Sequence, residues 1–151
     1  MKKLLFTLVL LSALSSPLSA SSAAETWYHA NQRTLGWDAV TEYVAEDGTR
    51  KRFPAGDIIK YRCYYRLAPG GEPVFAAETA DTRYTYTFPA EGGYYLGVET
   101  IRFPAGLPDG EPPLVSSAIG WSSDPVYAAN AQPFGVRYYS PPAPATGLRV
   151  E

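Results

Sequence analysis

Ile59-Lys60-Tyr61-Arg62-Cys63-Tyr64-Tyr65-Arg66-Leu67 is the stretch on which the fold turns. Read alternately, Ile59, Tyr61, Cys63, Tyr65 and Leu67 share one face, and Lys60, Arg62, Tyr64 and Arg66 share the other. Successive side chains of an extended chain point to opposite sides, so an apolar row backed by a polar row marks an antiparallel strand with one face buried. A helix needs apolar residues three or four apart, and beyond residue 24 no such period runs far. The strand turns Cys63 inward, where a thiol behaves as a small apolar group. As the only cysteine, it leaves the chain without an internal disulfide, so the fold rests on its core.

On either side the chain breaks into further short strands between turn signals. Upstream, Arg33 to Trp37 sets Leu35 and Trp37 on one side, and Asp47-Gly48 marks a turn in the polar stretch that follows. Downstream, Pro69-Gly70-Gly71 turns the chain into a short strand at Val74-Phe75-Ala76. Arg83 to Phe88 aligns Tyr84, Tyr86 and Phe88, Glu91-Gly92-Gly93 turns, and Tyr94 to Ile101 aligns Tyr94, Leu96 and Val98. Pro125-Val126-Tyr127-Ala128 offers a closing strand. The expectation is an all-β chain, a single β-sandwich of about seven antiparallel strands.

Residues 1–24 read as a secretory signal peptide: Lys2 and Lys3, an apolar run from Leu4 to Leu14, and small residues ending Ser22-Ala23-Ala24. The run is too short to cross a bilayer, which needs about 20 apolar residues. The chain is thus expected to be exported, to a periplasm or beyond the cell, with no membrane span in the mature part. Removing 24 residues from 151 leaves 127, the size of one domain. Losing Lys2 and Lys3 takes the basic count from 13 to 11 against 15 acids, a net charge of −4. Nothing in that balance seeks nucleic acid or anionic lipid. The one basic run, Arg50-Lys51-Arg52, has Asp47 and Asp57 beside it and reads as a solvated loop face.

Trp37, then Tyr61-x-Cys63-x-Tyr65, then Tyr94-x-Leu96-x-Val98, then Ser122 to Val126 resemble a fibronectin type III domain, an immunoglobulin-like β-sandwich, in an exported form of bacterial style. The resemblance covers roughly residues 30–128. It implies that Trp37 of strand B packs under Tyr61 of strand C. It also implies that Tyr94 makes a tyrosine corner, its hydroxyl bonding to backbone upstream. Strand A is poorly marked between Glu25 and Gln32, and the B–C (41–57) and F–G (102–121) loops are longer than the family carries. On this reading the chain divides into the leader (1–24), the sandwich (25–128) and a Pro-rich tail (129–151) ending in the strand-like Gly147-Leu148-Arg149-Val150.

One pentapeptide, Arg-Phe-Pro-Ala-Gly, occurs at Arg52–Gly56 and again at Arg102–Gly106. The resemblance places the copies in the B–C and F–G loops, at one pole of the sandwich; a relative, Phe88-Pro89-Ala90-Glu91-Gly92, falls at the other. Proline holds the preceding phenylalanine extended and glycine allows positive φ, so the string is a means of entering or leaving a strand. It also offers a protein-binding surface in which Arg52, Phe53, Arg102, Phe103 and Trp121 converge, aromatic residues and arginine being enriched at binding hot spots. A carbohydrate-binding surface is a second expectation, with Trp27, Trp121, Tyr138 and Tyr139 as stacking residues. The third is a structural subunit: Ser140-Pro141-Pro142-Ala143-Pro144 predicts an extended spacer, and the strand beyond it is open to three readings, a frayed tail, a strand packed back along an edge of the same chain, or one added to an edge of another.

Catalysis is not expected. The single histidine, His29, stands in no motif, and no Gly-x-Ser-x-Gly, phosphate loop, His-Glu-x-x-His or Cys-x-x-Cys occurs. No Asp-x-Asp-x-Asp-Gly calcium loop occurs either, and no cofactor or metal is implied. The reading is a non-catalytic interaction or adhesion module of a cell envelope, its partner a protein or polysaccharide.

Overall fold

The computed structural model describes residues 24–107, 115–140 and 146. Residues 1–23, 108–114, 141–145 and 147–151 lie outside the described residues, and with them nearly all of the expected signal peptide, the spacer prolines and the strand-like Gly147–Val150. What is described is all-β, with one short 3-10 turn at Ala129–Ala131.

The alternating stretch from Ile59 to Leu67 forms β5 (Ile58–Leu67), which lies between β6 (Val74–Thr79) and β8 (Gly92–Phe103), antiparallel to both. Its two rows separate as alternation requires. Tyr61 and Cys63 are buried, and burial pushes the Cys63 thiol above its usual range. On the opposite face Lys60 and Arg62 pair with Glu78 of β6 at 3.0 and 3.5 Å. Leu67, at the strand end, is exposed.

The other edge of β8 is shared by three strands in turn. β11 (Phe134–Tyr138) pairs with its first residues, β10 (Gly120–Trp121) with Val98 and Gly97, and β9 (Val115–Ser116) with Arg102 and Ile101. β1 (Thr26–His29) adds to β11 in parallel. The closing strand is therefore Phe134–Tyr138 rather than Pro125–Ala128, where the chain turns instead. There Val126 N–H bonds the Asp124 side chain and Ala128 N–H bonds the Asp124 carbonyl. A proline opening a four-residue run supports such a turn better than a strand. The sheet is also mixed rather than wholly antiparallel, because β1 meets β11 the same way round.

A second sheet, β2 (Gln32–Gly36) with β7 (Arg83–Thr87), faces the first. Between them lies the core: Cys63, Tyr94, Leu96 and Val136 of the large sheet against Tyr86 of the small one and Phe88 just beyond it. Tyr86 carries its hydroxyl across to the Gly97 carbonyl at 3.0 Å, which satisfies a donor that burial would otherwise strand. Trp37 meets Tyr61 edge-on with ring centroids 5.3 Å apart, and the Tyr94 hydroxyl donates to the Ala90 carbonyl at 2.6 Å. The expected long loop 41–57 is itself folded, as the hairpin β3 (Glu42–Val44) and β4 (Arg50–Arg52) around Asp47-Gly48.

The far face of the large sheet carries its own cover. A Cβ at Gly135 would stand 2.5 Å from Trp27, and one at Gly97 would stand 2.7 Å from Ile119 and 2.8 Å from Trp121. Only glycine lets the two indoles lie this close to the backbone.

Candidate functional site

The two RFPAG strings form the same turn. Asp57 N–H donates to the Pro54 carbonyl at 3.3 Å and Leu107 N–H to the Pro104 carbonyl at 3.2 Å. The glycine third in each turn has positive φ, +92° at Gly56 and +82° at Gly106. A type II turn requires that conformation there, and glycine adopts it without strain. Because β5 and β8 pair Ile58 with Phe103, the turns lie side by side. A Cβ on Gly56 would come within 3.1 Å of Ala105 Cβ.

Asp57, next after the first string, fastens it to the second. Its carboxylate accepts from Arg102 Nε at 2.6 Å and from the Ala105 N–H at 3.1 Å, and its side chain is 3% exposed. Thus held, the Arg102 guanidinium lies 4.8 Å from the Tyr43 ring and 5.4 Å from the Phe53 ring. Those two rings stack on one another with centroids 5.7 Å apart. The arginine over Phe53 thus comes from the other copy of the string.

Tyr43, Phe53 and Arg102 line a cleft of about 1040 Å³. The β3–β4 hairpin is on one side; Val98, Thr100 and Arg102 of β8, with Ser117 and Tyr127, are on the other. The short second sheet ends before it covers this part of β8, which is why the cleft exists. Glu42, Glu46, Asp47 and Lys51 line it from the hairpin. Hydrogen bonds from the Thr49 hydroxyl and N–H hold the Asp47 carboxyl below its usual range, so the hairpin turn stays anionic. The result is an apolar, aromatic hollow with an arginine whose charge Asp57 already offsets, beside a hairpin whose Glu42, Glu46 and Asp47 enter the lining with Lys51, itself 3.6 Å from Asp47. Such a surface is suited to holding a ligand. His29, on β1, is exposed and takes no part in it.

Comparison with protein-family models, with curated proteins and with solved structures finds no match to this chain. The site therefore stands on its own geometry.

Of the five residues expected to converge, the structure brings Phe53 and Arg102 together and leaves three elsewhere. Arg52 is exposed on β4. Phe103 follows Arg102 in β8 and so points to the opposite face, where the Lys60 ammonium lies 5.2 Å from its ring. Trp121 is on that far face too, with the Arg66 guanidinium 4.3 Å from its ring. Tyr43, Asp57 and Tyr127 were not anticipated. Asp57 was within reach of sequence reasoning as the residue closing the first turn, and Tyr43 as the aromatic of a hairpin centred on Asp47-Gly48.

Of the four residues expected to stack on sugar, Trp27 and Trp121 share the far face of the large sheet and Tyr138 does not. Trp27 lies over Gly135 on the far face, with the Arg137 guanidinium 4.4 Å from its ring. Trp121 is seated in the same manner over Gly97 under Arg66. Tyr138 packs against the core from the other face of β11, and Tyr139 is exposed. Among the described residues there is no group of three His, Cys, Asp or Glu positioned to hold a metal, and no helix long and apolar enough to cross a membrane.

Proposed function

We propose that this chain is an exported, non-catalytic module of fibronectin type III-like design that binds a protein segment in the cleft between the β3–β4 hairpin and the end of β8. The observation that carries the reading is the convergence of Tyr43, Phe53 and Arg102 in the lining of that cleft. Aromatic residues and arginine around a hollow that excludes water are the usual anchors of a protein interface. Glu42, Glu46 and Asp47, against Lys51, are the charges the hairpin brings to the cleft lining, and they favour a segment with a basic residue beside its apolar anchor. The leader of residues 1–24 is the basis for export, and the envelope or extracellular space is where the partner is met.

Three features support the family reading. They are the edge-on contact of Trp37 with Tyr61, the Tyr94 hydroxyl on a carbonyl four residues upstream, and the β6-β5-β8 order facing β2-β7. The binding reading is tested by capturing a partner from envelope and secreted fractions with the chain from Glu25 onward, then measuring its affinity for variants. Phe53→Ala should weaken binding at least about tenfold and Phe103→Ala should leave it unchanged, both remaining folded by circular dichroism. Equal affinity of the Phe53→Ala chain and the parent rules the cleft out.

A further inference from the structure

The second sheet has only two strands, and this leaves one side of β2 unpaired among the described residues. The Asn31 carbonyl accepts from Phe88 N–H, and Trp37 N–H donates to the Thr82 carbonyl. With Gln32 opposite Thr87 and Gly36 opposite Arg83, these bonds assign Asn31, Arg33, Leu35 and Trp37 to the ladder with β7. The N–H and C=O groups of Gln32, Thr34 and Gly36 consequently point the other way. Such an edge is a template for another strand.

Along it runs an apolar trough of about 350 Å³, lined by Leu35, Trp37, Leu96, Val98 and Phe134. The Trp37 indole N–H is buried and finds no acceptor among the described residues. An edge with unused backbone groups beside an apolar trough and a buried donor is a seat for an extended segment with alternating apolar side chains.

The chain itself has such a segment. Gly147-Leu148-Arg149-Val150 sets Leu148 and Val150 on one face. Its distance from the described fold decides which molecule it reaches. Ala30 N–H donates to the Arg137 carbonyl at 3.1 Å and Ser140 N–H to Glu91 at 2.8 Å, so the chain leaves β11 beside the start of β2. Residues 141–146 contain Pro141, Pro142 and Pro144, and at ~3.1 Å per residue an extended spacer of this kind spans ~19 Å. The five residues of β2 span only ~17 Å at ~3.3 Å each. A spacer of that reach is long enough to carry Gly147 clear of its own β2 and onto a neighbouring copy.

We propose that residues Gly147–Val150 of one copy add as a strand to β2 of a second copy, with Leu148 and Val150 in the trough and backbone carbonyls brought beside Trp37. The pairing takes one donor segment and one acceptor edge from each copy, so the assembly is head-to-tail and grows with concentration. It uses neither Tyr43 nor Phe53, and a Phe53→Ala chain should assemble as the parent does, which separates its fate from that of the cleft.

The test is the mass in solution of the chain from Glu25 onward, by sedimentation equilibrium across a concentration series. The parent should rise above the monomer mass with concentration. Leu148→Asp with Val150→Asp should abolish the rise, and so should Thr34→Pro, which removes an edge donor without touching the ladder to β7. Mixing the two variants should restore a dimer that grows no further, because one supplies an intact tail and the other an intact edge. A synthetic peptide of residues 141–151 should return the parent to monomer, whereas the same peptide with both aspartates should not, a result that holds even if the Thr34→Pro chain fails to fold. A parent that is monomeric throughout, variants that assemble unchanged, or an inert parent peptide overturns the proposal.

Discussion

The two RFPAG strings are identical in sequence and in turn geometry, yet the molecule uses a different residue of each. From the first copy it takes Phe53, stacked on Tyr43 in the cleft wall; from the second it takes Arg102, laid over both rings. Parity is the reason. Arg102 belongs to the row of Tyr94, Leu96 and Val98, which faces inward, so Phe103 faces outward. The first copy ends an exposed hairpin strand, and there Arg52 stays in solvent while Phe53 turns in. A short string thus specifies a bend, and the strand delivering it decides which side chain is put to use.

The sharpest way to break this comparison is to remove the residue that ties the copies together. Asp57→Ala leaves Arg102 without its partner in a mostly buried place and should cost about 3 kcal/mol of stability. Asp57→Asn should fall between, keeping an acceptor for the Ala105 N–H and losing the charge. Urea unfolding measures both, and a cost under about 0.5 kcal/mol for Asp57→Ala would mean the pair carries no load. A smaller effect asks whether the turns touch. Gly56→Ala and Gly106→Ala both force a side chain into positive φ, at about 1 kcal/mol each. Gly56→Ala should cost roughly 1 kcal/mol more, since its new Cβ meets Ala105 whereas the one at Gly106 meets open space. Equal melting shifts would place the turns apart. The smallest effect separates the arginines. Arg102→Lys, which gives up the planar contact with two rings, should lose about 1 kcal/mol, and Arg52→Lys should stay within about 0.5 kcal/mol.

Much of the architecture was legible because it is written at a period of two. The rows of β5, β7 and β8 identify themselves, and Tyr61, Cys63, Tyr86 and Leu96 are buried as their rows require. The row of Tyr94 also reaches Arg102 if it is carried past Ile101, and that step would have separated Arg102 from Phe103 among the expected binding residues. β11 was harder to see. Phe134-Gly135-Val136-Arg137-Tyr138 is short, holds a glycine and follows a proline, all of which speak against a strand when read locally. Its glycine is explained only by Trp27, more than a hundred residues earlier, which lies on it. The parallel pairing of β1 had no local sign, because pairing direction is set by where the chain returns to and not by any residue in the strand. The cleft was missed for a similar reason: it lies where the small sheet stops short of β8, a difference in length that no single segment displays.

That parallel pairing bears on how the molecule answers to force. β1 and β11 point the same way, with Thr26 opposite Phe134 and His29 opposite Arg137. The chain enters this pair at the Thr26 end and leaves it at the Tyr138 end, so tension between the two termini runs along the strands. The bonds between β1 and β11 are then sheared together and share the load, where an antiparallel pair pulled at adjacent ends would peel one bond at a time. For a module strung between two attachments, this places the resistance to stretching in the first strand and the last.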